Sequence, residues 1–260
     1  MGLRAKRKGN RPRSAFTLLE LLIVLAIGII VASLTVRAFS GILAGGFTQV
    51  VSDMSETLEQ ARAYAMSNNT YVYVGFDEVD ASSTATPPPA GNGLVVVAIV
   101  ASKDGTDGFN GTTTWSPNDS TGKFNLVAIS KLMKFPNVHL PKGSTLPTTG
   151  NMVRPTPSDP ANDYLDLTAN PTSANSGFGW PLAAAGAGAT YNFSNLIRFG
   201  PQGDATILAL PSAPTKAPVV DYMEIGLEPT HGNNVPAKLP ANVAAIQIDG
   251  STGLVKSYRP

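Results

Sequence analysis

Glu20 has the clearest potential for chemistry, because it stands where a charged side chain is costly. It ends the segment 15–20 (AFTLLE) and precedes the predominantly apolar residues 21–36. A carboxylate in such a run costs on the order of 2–3 kcal/mol at the centre of a bilayer, and less near the edge. Acidic residues inside apolar membrane segments usually pair with a cationic group and have a functional role. Glu20 is therefore predicted to pair with a positive charge.

Two histidines, His139 and His231, are the candidates for acid–base chemistry. Both lie near proline or glycine in predicted edge strands or loops. A serine hydrolase of the common α/β type would also need a Gly-x-Ser-x-Gly turn, which the sequence lacks. We interpret both histidines as solvated or structural, and predict no catalytic residue, no enzyme activity and no cofactor.

Residues 104–111 (DGTDGFNG) superficially resemble a calcium-binding loop. They lack the alternating ligand spacing and the terminal bidentate glutamate of an EF-hand. A solvated turn is the favoured interpretation and a calcium loop the alternative. The acids Asp77, Glu78 and Asp80 indicate a charged loop edge. Because the chain has no cysteine, disulfides, thiolate metal sites and cysteine nucleophiles are excluded, and no metal site is predicted.

The apolar run predicts a helix that crosses a membrane. Residues 16–36 number 21 and would form a helix of about 31 Å, close to the thickness of the hydrocarbon core. A plain membrane anchor explains this length but not Glu20, and a secretory signal peptide has a shorter apolar core of about 7–15 residues. The positive-inside rule places the N-terminus in the cytoplasm and the chain after Arg37 across the membrane. Six basic residues precede the run: Arg4, Lys6, Arg7, Lys8, Arg11 and Arg13.

This N-terminus resembles that of type IV prepilins and type II secretion pseudopilins: a basic leader, a small residue, Phe-Thr-Leu-Leu-Glu and about sixteen apolar residues. In that family a membrane aspartyl protease removes the leader, and the new N-terminus is methylated. The resemblance implies cleavage between Ala15 and Phe16 and methylation of Phe16. The family usually has glycine before the cut, where this chain has Ala15, another small residue. Glu20 would then lie one helical turn from a new ammonium group and pair with that of a neighbouring subunit in a filament.

The rest of the chain predicts an α+β fold, in which a long N-terminal spine helix packs on an antiparallel β-sheet head. The helix would have a transmembrane half (16–37), which follows the leader (1–15), and an amphipathic half (38–69). The head would span 70–260, with a Pro/Gly-rich insertion at about 142–190. Apolar residues at helical spacing predict the packed stripe of the amphipathic half: Phe47, Val50, Val51, Met54, Leu58, Ala61 and Ala65.

The second half of the chain adds a more specific resemblance. Residues 196–203 (LIRFGPQG), followed by a terminal hairpin around 249–253 (DGSTG), are similar to the end of GspH- and FimT-type pseudopilins. The helix exit at 58–69 is similar to that of the same group. Together with the long Pro-rich insertion, the terminus further resembles the Verru_Chthon cassette D proteins, which are pilin-like.

Charge argues against a nucleic-acid partner. Removal of the leader leaves 13 basic and 18 acidic side chains, a net charge of −5. A mildly acidic head is poorly suited to phosphate binding, and the basic residues Lys238, Lys256 and Arg259 are few.

The resemblance implies a non-enzymatic subunit, a minor pilin or pseudopilin of a type II secretion or type IV pilus-like filament. Its partners would be other pilin subunits, the prepilin peptidase/methyltransferase and the inner membrane, with the head periplasmic or extracellular. The alternative is a pilin-anchored receptor for DNA or another extracellular ligand.

Overall fold

A computed structural model describes residues 18–109, 114–142, 145–148, 152–158, 163–167, 177–184, 188–209 and 221–260, with side chains described outside 30–45. The chain divides between Gly45 and Gly46 into two compact units. The described residues have α plus β character, with one helix and antiparallel sheets.

The helix α1 spans Leu18–Asn68. Its residues in the second unit follow the predicted stripe, and six of them are at most 6% exposed: Phe47, Val51, Met54, Leu58, Ala61 and Ala65. They share one apolar cluster with residues of the sheets. Burial of this face, rather than helix propensity, is the main source of stability for such a helix. Among the described residues, no helix has the length and apolar character needed to cross a membrane.

The helix ends in a cap at the position that the sequence predicts. Asn69 has a φ of 48°, in the left-handed region that asparagine tolerates better than most residues. The backbone N–H of Thr70 donates to the carbonyl of Ala65 at 3.1 Å, the six-to-one bond of a Schellman motif. The cap turns the chain from the helix into the first strand.

The strands form three antiparallel sheets in the described residues. The strands are β1 Val72–Asp80, β2 Gly93–Ser102, β3 Leu126–Ala128, β4 Met133–Pro136, β5 Val138–His139, β6 Phe178–Trp180, β7 Ala183–Ala184, β8 Tyr191–Phe193, β9 Asn195–Phe199, β10 Ala205–Ala209, β11 Tyr222–Pro229, β12 Ala244–Asp249 and β13 Val255–Tyr258. The large sheet has the order β10-β9-β1-β2-β3, with β4 also paired to β2; the second has the order β13-β12-β11-β5, and the small one β7-β6-β8.

The two faces of β1 serve two different cores, since side chains alternate along a strand. Val72, Val74 and Phe76 join the cluster that contains the helix. Tyr73 and Val79 join a second cluster with aromatic residues of β6 and β8. The large sheet is thus covered on both faces, which explains why β2 is an almost continuous apolar run.

The apolar residues and prolines of 132–141 (LMKFPNVHLP) predict a single short edge strand, and the structure differs. These residues form two short strands, β4 and β5, which pair with β2 and β11 in different sheets. Asn137, between them, has a φ of 60°. This left-handed residue redirects the chain from one sheet to the next.

The described parts of the insertion at 142–190 pack on the head. Leu146 and Met152 form a small cluster with Val243 and Ala245, and Leu165 enters the cluster that contains the helix. Further along, residues 178–184 supply the strands β6 and β7. The insertion therefore packs against the second sheet and contributes two of the three strands of the small one.

Candidate functional site

Glu20 lies in the first turn of α1, within the first unit. Every large apolar side chain of residues 18–29 is exposed, from 48% at Ile23 to 83% at Leu18. Helices that are apolar on all sides are usually buried in a larger assembly or a membrane. The other two predicted site residues, Ala15 and Phe16, lie outside the described residues.

The segments that resemble the GspH and FimT type meet in the structure. The turn at 200–203, which the sequence predicts, joins β9 to β10, and the turn at 249–253 joins β12 to β13. A Cβ placed on Gly253 would lie 2.4 Å from the carbonyl oxygen of Gly203. Arg62 of the helix donates from Nε to the carbonyl of Thr252 at 2.6 Å. The helix and both turns thus form one junction, and these residues have a structural role.

His139 is part of a buried polar network rather than a catalytic pair. Its Nδ1 lies 2.9 Å from Oε2 of Glu78, which also accepts a hydrogen bond from the backbone N–H of Leu140. Glu228, the cross-strand partner of His139, is 4% exposed. Burial lowers the pKa of His139, but the hydrogen bond and charge of Glu78, with that of Glu228, outweigh burial and raise it. Burial raises the pKa of Glu228. The network ties the large sheet to the second sheet.

His231 lies in an exposed turn, where its backbone pairs with Asn234. This is the solvated position that the sequence predicts for it.

The aspartates of the 104–109 loop are engaged by their own surroundings. Oδ1 of Asp104 accepts hydrogen bonds from Ser102, Thr106 and Asn125 at 2.6–2.9 Å. The hydrogen bonds of Asn125 and Thr106 hold the pKa of Asp104 well below its ordinary value.

Asp107 in the same loop pairs with Arg198 and accepts a hydrogen bond from the Tyr73 hydroxyl at 2.9 Å. Within the described part of the chain, no group of three or more His, Asp or Glu side chains is arranged to hold a metal ion. The described loop therefore has the hydrogen bonding of a structural turn, and nothing in it favours the calcium alternative.

One of the basic residues near the C-terminus, Arg259, is engaged by the helix α1. Arg259 donates to Oγ1 of Thr48 at 2.9 Å, and its guanidinium lies 5.9 Å from the ring centre of Phe47. Arg259 thus anchors the C-terminus on the helix. This engagement gives no support to the DNA-receptor alternative.

Comparison with known proteins identifies a motif at the N-terminus. Residues 10–36 match the family model of the prokaryotic N-terminal methylation motif. The match includes Ala15, Phe16 and Glu20. The motif marks a prepilin-type structural substrate and not an enzyme family. No curated protein and no solved structure matches the chain.

Proposed function

We propose that the chain is a minor pilin or pseudopilin, cut between Ala15 and Phe16, methylated at Phe16 and assembled into a type II secretion or type IV pilus-like filament. The observation that carries this proposal is the methylation motif at residues 10–36. The prepilin peptidase/methyltransferase of the inner membrane would be the processing partner. Other pilin subunits would be the assembly partners.

In this proposal Glu20 provides the electrostatic contact that drives assembly. Cleavage converts the amide nitrogen of Phe16 into an ammonium group four residues before Glu20. When the apolar residues around Glu20 are buried in a filament, both charges lose water, which is costly unless each faces an opposite charge. Pairing of Glu20 with the amine of a neighbouring subunit offsets this cost and fixes the register between subunits.

The exposed apolar surface of residues 18–29 supports the same proposal. It supplies the contact area that a filament core needs, since association is driven mainly by burial of apolar surface. Before assembly, the run at 16–37 would hold the protein in the inner membrane with the leader in the cytoplasm. The head, with its own apolar cores, would fold on the periplasmic side.

The test compares Glu20→Gln and Glu20→Ala with the native chain in cells that assemble the filament. Glu20→Gln keeps the size and the hydrogen-bonding capacity while removing the charge. Both variants should enter the membrane normally, and incorporation into sheared filaments should fall at least about tenfold, the effect of some 1.4 kcal/mol. Glu59→Gln, on the exposed side of the same helix, is the matched control and should assemble normally. Normal incorporation of Glu20→Gln would rule out charge pairing.

A further inference from the structure

A cavity of about 470 Å³ lies between the loop after β1 and the small sheet. Its volume is within the range of small-molecule binding sites, roughly 300–1,000 Å³. Asp80 and Ser83 line it from the loop, Lys134 from β4, and Trp180 and Tyr191 from the small sheet. No step of the proposed assembly uses this cavity.

Two aromatic rings form one wall. Trp180 and Tyr191 are directly opposite each other in the β6–β8 ladder, so their side chains project from the same face of the small sheet. Tyr191 is buried, whereas Trp180 is partly exposed and packs on the second core cluster. The wall is therefore fixed by the core, with part of the indole surface accessible from the cavity.

The polar lining offers both donors and acceptors. The ammonium of Lys134 lies 5.1 Å from the ring centre of Tyr191 and forms no ion pair within the described part of the chain. Asp80 carries the charge opposite to that of Lys134. The hydroxyl of Ser82 donates a hydrogen bond to Oδ1 of Asp80 at 2.7 Å. The hydrogen bonds of Ser82 lower the pKa of Asp80, so it remains a carboxylate at neutral pH. Thr84, Thr86 and Thr190 also line the cavity.

These features narrow the ligand class. One cation and one anion make the lining electrically balanced, and the net charge of −5 after leader removal repels polyanions. The lining mixes apolar residues such as Ala85 and Pro88 with polar ones. Its polar residues disfavour a lipid chain, because burial of an alkyl chain against Asp80 and Lys134 would leave charged groups without partners. An aromatic face beside several hydroxyl, ammonium and carboxylate groups matches a ligand that has apolar C–H faces and many hydroxyls.

We propose that this cavity binds a neutral saccharide, with a sugar ring on Trp180 and its hydroxyls bound by Lys134, Asp80 and Thr190. The binding is independent of filament assembly and of leader cleavage. It would give the head a carbohydrate-recognition activity in addition to its structural role.

The test measures binding of four neutral tetrasaccharides to the full-length protein by calorimetry: cellotetraose, maltotetraose, chitotetraose and mannotetraose. The protein is kept in an amine-oxide detergent, because glycoside detergents would compete for the site. The variants are Lys134→Ala, which removes an exposed side chain, and Thr190→Val, which replaces only the hydroxyl, by a methyl group. Lys103→Ala is the matched control, since Lys103 also lies over an aromatic ring, at 5.7 Å from the centre of Phe124, and does not line the cavity.

At least one tetrasaccharide should bind saturably, and Lys134→Ala should weaken its binding about tenfold, the usual effect of losing a hydrogen bond from a charged group. Thr190→Val should weaken it by about threefold or more, while Lys103→Ala should leave it unchanged. The proposal is overturned if none of the four saccharides binds. It is also overturned if both cavity variants bind the saccharide as tightly as the native protein does. It is equally overturned if a twelve-nucleotide oligothymidylate binds more tightly than every neutral saccharide and Lys134→Ala abolishes that binding. Because the assay uses unassembled protein, these results do not bear on the filament proposal.

Discussion

Asp77 shows how the position of one carboxylate in β1 makes the stability of the head depend on pH. Its strand position places it on the face of the large sheet that β6 and β8 cover, where its side chain is partly buried. Burial raises its pKa to about 7, and the neighbouring charge of Glu78 acts in the same direction. The folded protein therefore holds this proton at a pH where the unfolded chain has released it. Stability contributed in this way is complete below pH 4 and is lost as the pH rises to about 7.

We predict that Asp77→Asn makes the head more stable at pH 8 than the native sequence, by roughly 2–4 kcal/mol. The reason is that the neutral amide needs no charge to be buried at high pH. The measurement is urea unfolding of residues 46–260 between pH 4 and 8, in which the advantage of the variant should shrink towards pH 4. Glu56→Gln removes an exposed carboxylate from the helix and should leave the pH profile as it is. Parallel profiles for Asp77→Asn and the native sequence would contradict the assignment.

At the scale of elements, the junction between α1 and the two turns depends on close backbone contact at Gly253. This residue has a φ of 64°, and an added Cβ would meet Arg62 as well as Gly203. Any side chain there would thus add a steric conflict to the strain of the left-handed conformation.

We predict that Gly253→Ala lowers the free energy of unfolding by about 3 kcal/mol, which is more than the left-handed conformation alone would cost. Gly232→Ala is the matched control, because Gly232 has a φ of 62° and open space around its Cα. The control should cost only about 1–2 kcal/mol. Equal costs for the two variants in urea unfolding would show that the contact with Gly203 is unimportant.

A buried ion pair fastens the insertion to the second sheet. Both side chains are fully buried, and Arg154 donates to the two carboxylate oxygens of Glu224 at 2.7 and 2.6 Å. Gln247 of β12 donates to the same carboxylate at 2.8 Å, and Arg154 also donates to the carbonyl of Pro147. Because burial of one charge without the other is costly, the pair holds Arg154 and the carbonyl of Pro147 against β11 and β12.

We predict that Arg154→Met destabilises the head by about 3–5 kcal/mol, since it leaves the Glu224 carboxylate buried and unpaired. The double variant Arg154→Met/Glu224→Leu should recover a large part of this loss. Lys142→Met, which breaks a partly exposed ion pair with Asp166, serves as the control and should cost less than about 1 kcal/mol. Additive effects of the two substitutions in a double-mutant cycle would be inconsistent with a coupled pair.

How much the sequence reveals depends on how local the signal is. The helix stripe, the cap at 67–69, the apolar strand at 94–100 and the hairpin at 249–253 have signals within a few residues, and the structure has an element at each. Arg154 and Glu224 are 70 positions apart in the chain, and no periodic pattern in the sequence predicts that they pair. The division of 132–141 between two sheets likewise follows from which strands lie nearby. Local propensity does not encode that choice.

The residues of the two proposed sites follow the same rule. Glu20 is evident from the sequence because its motif is contiguous, and the family model covers that motif. The cavity is assembled from three separate parts of the chain: the loop after β1, the strand β4 and the small sheet. Trp180 is visible in the sequence as an aromatic in a polar region, but its partners are evident only once the fold is known.

At the scale of the whole molecule, the two units would have different tasks. The first would carry the processing and assembly signals at Ala15, Phe16 and Glu20, and the second is a head with its own cores. Filament assembly would bury the helix of the first and display the second. The proposed assembly depends on one covalent event, because the amine that Glu20 is proposed to bind exists only after the leader is removed.

Identification of the N-terminal residue of the mature protein is therefore the most direct test of the central claim, cleavage between Ala15 and Phe16. Mass spectrometry of the protein, purified from cells that contain a prepilin peptidase, should find a terminal peptide that begins with N-methylated Phe16. Ala15→Leu, which places a bulky side chain before the cut, should leave the leader attached. An intact Met1 in the native protein, or a mature start at any residue other than Phe16, would contradict the account.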